Sequence, residues 1–195
     1  MSYNAFAEFY DGLTGNVEYK DRAEYIEKLI KSFGREAGTT LDLACGTGSL
    51  TLELYRRGFD IFGVDASIDM LSEAQQKCSE DEQILFICQK MQRLNLASEI
   101  DTCICTLDSI NHLTNPKDVK ETFKRVAKYL SKDGLFIFDV NTLYKHREVL
   151  CDNCFVFDTD EVFCSWQNEL DKETDIVNIT PVSYTHLRAH ETDQY

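Results

Sequence analysis

Apolar residues recur at helical spacing through Tyr25, Ile26, Leu29, Ile30 and Phe33, and Gly34 follows as a stop, so the first predicted element is an amphipathic helix. Thr40-Leu41-Asp42-Leu43-Ala44 then reads as a short buried strand running into Cys45-Gly46-Thr47-Gly48. Leu50, Leu52, Leu54 and Tyr55 belong to a second helix that ends near Gly58. A second strand is predicted over Asp60 to Val64, and a helix over Ala66 to Cys78 with Ser67 as its N-cap. Ile84 to Cys88 reads as a third strand, and Thr102 to Leu107 as a fourth, followed by a loop. Asn115-Pro116 opens the clearest helix, a capping residue followed by proline at the first helical position. Val119, Phe123, Val126, Ala127 and Leu130 supply its apolar face, and Gly134 lies just beyond it. Leu135 to Val140 is a fifth strand. From Phe155 to Ile179 the pattern changes: Phe155, Phe157, Val162, Cys164, Trp166, Ile176 and Ile179 predict short antiparallel strands.

Strands alternating with helices imply an α/β fold, a mostly parallel sheet with helices on both faces, here with a small antiparallel insertion near 155–180. A chain of 195 residues is most simply one domain. No stretch approaches the roughly 20 consecutive apolar residues of a membrane span. Met1 to Tyr10 lacks the basic segment and apolar run of a secretory signal. Of the eight cysteines, Cys88, Cys103 and Cys105 sit inside apolar runs, where a thiol behaves as a small buried hydrophobe; a cytosolic location is expected. The net charge of −14 disfavours a broad phosphate-binding surface, so a small molecule is expected as substrate rather than nucleic acid.

Residues 182–195 stand apart. Val182 to Thr192 matches the translation, in one frame, of a transposase-type sequencing adapter. We therefore expect a domain over 1–181 and a library-derived tail over 182–195 that is no part of the domain. His186 and His190 share a helical spacing that zinc ligands often use, but they fall in this tail and no third ligand accompanies them.

In open α/β sheets, ligands bind beyond the carboxyl ends of the strands where strand order reverses. The first strand and its glycine turn are thus the place to look for chemistry. Gly46 and Gly48 let the main chain approach a ligand at a helix N-terminus. Nineteen residues after Gly46, Asp65 ends the second strand, where a carboxylate can accept both hydroxyls of a ribose. A dinucleotide site needs a third small residue for close helix–strand packing, and that place holds Thr51. An NAD-binding oxidoreductase domain is still the alternative from another class.

The longer string Leu41-Asp42-Leu43-Ala44-Cys45-Gly46-Thr47-Gly48 resembles the first motif of class I S-adenosylmethionine (SAM)-dependent methyltransferases. Val64-Asp65-Ala66-Ser67 with Asp69-Met70-Leu71 is similar to the second landmark of that family. The resemblance covers roughly Tyr3 to Ile179 and implies a three-layer Rossmann-like methyltransferase fold with SAM as cofactor. It also implies individual roles. Ala44, Cys45 and Gly46 would line the methionine and ribose side of SAM, and Asp65 would hold the ribose diol. Ala66 and Met70 would pack near the adenine, and Leu107 would cover the cofactor's other side. Tyr10 and Tyr19 would close over the site.

Two departures from the family pattern stand out. Ala44 occupies a place where many members have glycine. In Gln89-Lys90-Met91, Lys90 stands where relatives often carry an aspartate that accepts from the adenine amino group, and an ammonium has no acceptor. The main-chain amide of Met91 could still recognise the ring, so SAM affinity is expected to be weaker than with Asp at position 90.

The polar run Leu107-Asp108-Ser109-Ile110-Asn111-His112-Leu113 lies where an acceptor should meet the methyl group; Asp108 and His112 are the candidate bases. Cys151-x-x-Cys154 with Cys164 offers three thiolates, short of the four of a structural zinc site, so no metal is expected. The antiparallel segment around them reads as a substrate lid. Rival readings keep methylation but target RNA or a protein, or leave only SAM binding. The resemblance further implies that a helix and an antiparallel hairpin should follow Ile179; these are missing here, so the fifth strand is expected to present an open edge.

Overall fold

The structure is a computed structural model that describes residues 17–158 and 162–185. These belong to two compact units, Met1–Val140 and Asn141–Tyr195.

The first unit is built on five parallel strands: β1 (Thr39–Leu43), β2 (Asp60–Asp65), β3 (Phe86–Cys88), β4 (Ile100–Cys105) and β5 (Leu130–Phe138). Their order is β3-β2-β1-β4-β5, so the direction of succession reverses between β1 and β4. Four helices accompany them: α1 (Tyr19–Ser32), α2 (Ser49–Arg56), α3 (Ile68–Lys77) and α4 (Pro116–Tyr129). Successive strand residues point to opposite faces, and the core divides accordingly. On one face, Ala23, Ile26 and Ile30 of α1 and Leu50 and Leu54 of α2 pack with Ile61 and Ile104. On the other, Leu41, Leu43, Val64, Cys103 and Cys105 pack with Val126 and Tyr129 of α4. The sheet is covered on both sides, the three-layer arrangement expected from the alternation of elements.

Local chemistry sets the helix ends. Ser67 caps α3 by accepting the Met70 N–H at 3.3 Å, and Asn115 caps α4 by accepting from Lys117 at 2.9 Å, with Pro116 at the first helical position. Several expectations need adjusting. In α1 the buried stripe is Ala23-Ile26-Ile30, whereas Tyr25 and Phe33 are exposed. In α4 the buried residues are Thr122, Val126 and Tyr129; Ala127 is exposed, and Leu130 already belongs to β5. Phe123 instead stacks edge-on against Phe136 and Phe138, at 5.3 and 5.2 Å between ring centres. Cys88, expected to be buried, is exposed because β3 is a three-residue edge strand. Cys103 and Cys105 are buried as expected, and burial raises both thiols well above their usual range.

The second unit carries a π-helical turn, Lys145–Leu150, and an antiparallel meander of β6 (Cys154–Asp158), β7 (Val162–Asp171) and β8 (Ile176–Thr185). Asn168 is buried and donates its side-chain amide to the Leu150 carbonyl, and Arg147 forks onto Asp175. The β7–β8 ladder continues to Thr185, through the first four residues of the segment read as a tail. Ladder bonds use the main chain alone, so the pairing is blind to where those residues came from. Among the described residues, no helix is long and apolar enough to cross a membrane.

Candidate cofactor and acceptor site

The reversal between β1 and β4 leaves a crevice at the carboxyl ends of the strands, and a cavity of about 880 Å³ opens there. It is walled by the turn after β1 (Ala44 to Thr47, with Ser49 and Leu50), the end of β2 and the start of α3 (Asp65 to Met70), and residues 89–92. Thr106, Leu107, Ser109, His112 and Leu113 close the far end, with Tyr19 of α1. Ala44, Cys45, Gly46, Asp65, Ala66, Met70, Met91, Leu107 and Tyr19, assigned to the cofactor from sequence, thus all line one space, as does His112. Asp108 is not among the lining residues, and Tyr10 lies outside the described residues.

The turn after β1 is shaped by main-chain geometry. Ala44 has φ 62°, in the left-handed region that costs a non-glycine residue about 1–2 kcal/mol, so a glycine there would relieve conformation as well as remove a methyl. The Ala44 and Cys45 N–H groups both donate to the Val64 carbonyl, at 2.7 and 3.1 Å, and so hold the turn against β2. Gly48, the N-cap of α2, has φ 71°, and a Cβ on it would stand 2.8 Å from the Ala74 Cβ. Lys77 of α3 reaches back to this turn, donating to the Thr47 carbonyl at 2.9 Å and the Ser49 hydroxyl at 2.8 Å.

Asp65 is gripped from both sides. Its Oδ2 accepts the Gly46 N–H at 2.9 Å and its Oδ1 accepts the Ser67 N–H at 2.8 Å. A carboxylate has about four acceptor positions, so each oxygen keeps one for a ligand. Such an acceptor pair suits a vicinal diol. Beneath it lies Asp42, only 3% exposed, whose Oδ2 accepts the Thr51 hydroxyl at 2.6 Å. Burial pushes the Asp42 carboxyl up to about 6; the Thr51 bond opposes that rise and the Asp65 charge adds to it. Thr51 therefore fills the place of a dinucleotide site's third glycine and commits its hydroxyl to Asp42.

At the end of the cavity just past β3, the Gln89 side chain donates to the Asn95 carbonyl and accepts the Asn95 N–H, closing the loop that presents Lys90 and Met91. Lys90 lines the cavity and is exposed. At the other end, Leu107 and Asp108 have φ 59° and 51°, two successive non-glycine residues in the left-handed region. Their N–H groups both donate to Asp139, just past β5: Leu107 to Oδ2 at 3.0 Å and Asp108 to Oδ1 at 2.7 Å. Asp139 and its partner Arg22 (Nη1 to Oδ2, 3.2 Å) escaped the sequence reading. The available signal was a carboxylate directly after the apolar strand Leu135-Phe136-Ile137-Phe138, at the strand end where ligands gather. Among the described residues, no group of three or more His, Cys, Asp and Glu could hold a metal ion.

Comparison with known proteins bears on what this cavity takes. A family profile described as a methyltransferase domain matches residues 40–134, which hold β1 from its second residue, all of β2 to β4 and most of the cavity wall. The Bacillus subtilis (strain 168) protein YqeM, assigned to the methyltransferases by its name alone, is 37% identical over 169 residues, covering 86% of this chain and 67% of the relative. A SAM-dependent methyltransferase from Clostridium acetobutylicum ATCC 824 superimposes with a TM-score of 0.79 at 35% identity, over 94% of this chain and 80% of that one. A glycine/sarcosine N-methyltransferase of Aphanothece halophytica is 30% identical over 138 residues, 69% of this chain and 51% of that protein. These likenesses favour a methyl donor over NAD, in keeping with Thr51 at the third glycine's place. On fold, motif and kinship together, the chain belongs to the class I SAM-dependent methyltransferases.

Proposed function

We propose that the chain methylates a small-molecule acceptor held at the Thr106–Leu113 end of the cavity, with SAM lying from there across Asp65 toward Lys90. The observation that carries this reading is the Asp65 carboxylate, fixed by two main-chain N–H groups with one acceptor position left on each oxygen. In this reading Asp65 takes the ribose diol, the Ala44–Gly46 turn faces the methionine portion, and Ala66, Met70 and Met91 border the base. Leu107 and Tyr19 cover the cofactor. Bound SAM supplies an electrophilic methyl group on a sulfonium. The chain's residues align the acceptor and exclude water, since the positive charge disperses as the methyl moves. His112, on the cavity wall, is the base for an acceptor that arrives protonated, with Asp108 next to the wall as the second choice.

A small acceptor is supported by cavity size, near the top of the roughly 300–1,000 Å³ typical of small-molecule sites. The net charge of −14 works against RNA. Glycine and sarcosine, named for the Aphanothece relative, are acceptors of the size we envisage. We further place the enzyme in the cytosol, a reading supported by Cys103, Cys105 and Cys164 being buried as free thiols.

Calorimetric titration with SAM and its demethylated product tests the carrying observation. Two charge-assisted bonds at roughly 1.5–3 kcal/mol each put the loss for Asp65→Ala at about 100-fold or more. Asp65→Asn, which keeps one acceptor, should lose about tenfold. Affinities for both variants within threefold of wild type would overturn the reading. A metabolite screen with methyl-labelled SAM then identifies the acceptor.

A further inference from the structure

The loop at the acceptor end of the cavity is held by a carboxylate that is not itself part of the cavity wall. Leu107 and Asp108 are consecutive, neither is glycine, and both have positive φ. Such a pair persists only where the surroundings impose it. Their two N–H groups converge on one carboxylate, that of Asp139, at 3.0 and 2.7 Å. Successive N–H groups turned in this way form an anion-binding concavity; here the anion is built into the chain. The next turn of the chain, Ser109–His112, takes its direction from this pair. It starts from Asp108, with the Asn111 N–H on the Asp108 carbonyl at 2.8 Å, and the Ser109 hydroxyl donates to the Thr106 carbonyl. A rotation at 107–108 would therefore swing Leu107, Ser109 and His112, all of them cavity wall.

The same carboxylate has a third partner. Arg22 lies in the first turn of α1, three residues after Tyr19, and donates Nη1 to Asp139 Oδ2 at 3.2 Å. Tyr19 lines the cavity, so the ion pair joins the helix bearing one wall to the loop forming another.

We propose that Asp139 is the positioning residue that imposes the left-handed geometry of Leu107 and Asp108, and that Arg22 locks α1 to this loop so that the two walls close together. This rests on reading the cavity as the SAM and acceptor site. Asp139 reaches the ligand through Leu107, Ser109 and His112; it does not touch it.

The test compares wild type, Asp139→Asn and Arg22→Met in the full 195-residue chain. Readouts are titration with S-adenosylhomocysteine, its dissociation rate, and amide spectra of Leu107, Asp108, Gly46 and Ser67. Asn offers an amide hydrogen where a carboxylate oxygen had accepted, so Asp139→Asn should move the Leu107 and Asp108 signals and weaken the ligand about tenfold. Gly46 and Ser67, which report on Asp65, should stay in place. Arg22→Met should leave the Leu107 and Asp108 signals nearly unmoved and raise the dissociation rate about tenfold. A merely structural residue would lower Tm without this division of signals. Wild-type binding with Asp139→Asn within twofold of it overturns the role of Asp139. An unchanged dissociation rate in Arg22→Met overturns the lock, and this variant decides the matter if Asp139→Asn fails to fold. Absence of binding by wild type itself refutes the cavity reading, and this inference with it.

Discussion

Asparagine in place of Asp42 keeps the shape of a side chain that is 3% exposed, and keeps an oxygen for the Thr51 hydroxyl, while deleting the charge. Burial moves the Asp42 carboxyl from its ordinary 3.8 to about 6 in the folded protein. Between those values the native state holds a proton that the unfolded chain has released. The folded value is the raised one, so the stabilisation linked to that proton is full below 3.8 and is lost as pH climbs through about 6. At about 1.4 kcal/mol per pKa unit, the loss is on the order of 3 kcal/mol once the carboxylate is ionised in both states. Asp42→Asn carries no such proton. Urea denaturation of both proteins, at about pH 4 and again at about pH 7.5, should show the variant gaining on wild type by an amount of that order. The gain should be centred between the two carboxyl values, 3.8 and about 6, and complete above the higher one. A stability difference between the two proteins that is the same at both pH values would refute the reasoning, because it would mean that the carboxyl titrates alike in the folded and unfolded chains.

Two further outcomes are expected. Gly48→Ala forces a side chain into the left-handed region and sets its Cβ 2.8 Å from Ala74 and 3.1 Å from the Phe86 ring, a combined cost of about 2–4 kcal/mol. A thermal melt should show Tm falling by about 5–15 °C, and a fall under about 1 °C would contradict the packing described. In the proposed SAM pose, Lys90→Asp supplies an acceptor beside the adenine and should tighten SAM about tenfold by calorimetry; no improvement counts against that pose.

Much of this organisation could be read from the chain because its causes are local. Ser67 and Asn115 announce their helices through side chains that cap the next turn. The spacing from Gly46 to Asp65 marks one strand-turn-helix and the strand beside it, and the two residues do meet at 2.9 Å. Errors arose where a residue's surroundings depend on distant chain. Tyr25 and Phe33 fit an apolar count but are exposed, one on the outer side of α1 and the other at its C-cap, since the buried positions of the helix are 23, 26 and 30. Cys88 sits in an apolar run, yet its strand has a neighbour on one side alone. Arg22 and Asp139 are 117 residues apart, and Asp139 and Leu107 are 32 apart. No periodicity records such a meeting; it exists only once β4 and β5 lie side by side.

The contrast between the thiols of β4 and those of Cys88 and Cys154 gives the protein an internal tamper seal. Cys103 and Cys105 are sealed between sheet and helix and stay protonated, whereas Cys88 and Cys154 stand in solvent. An alkylating reagent reaches the first pair only when the central sheet opens. Mass added at those two positions therefore counts excursions of the whole parallel sheet, while mass at the outer pair accumulates without any.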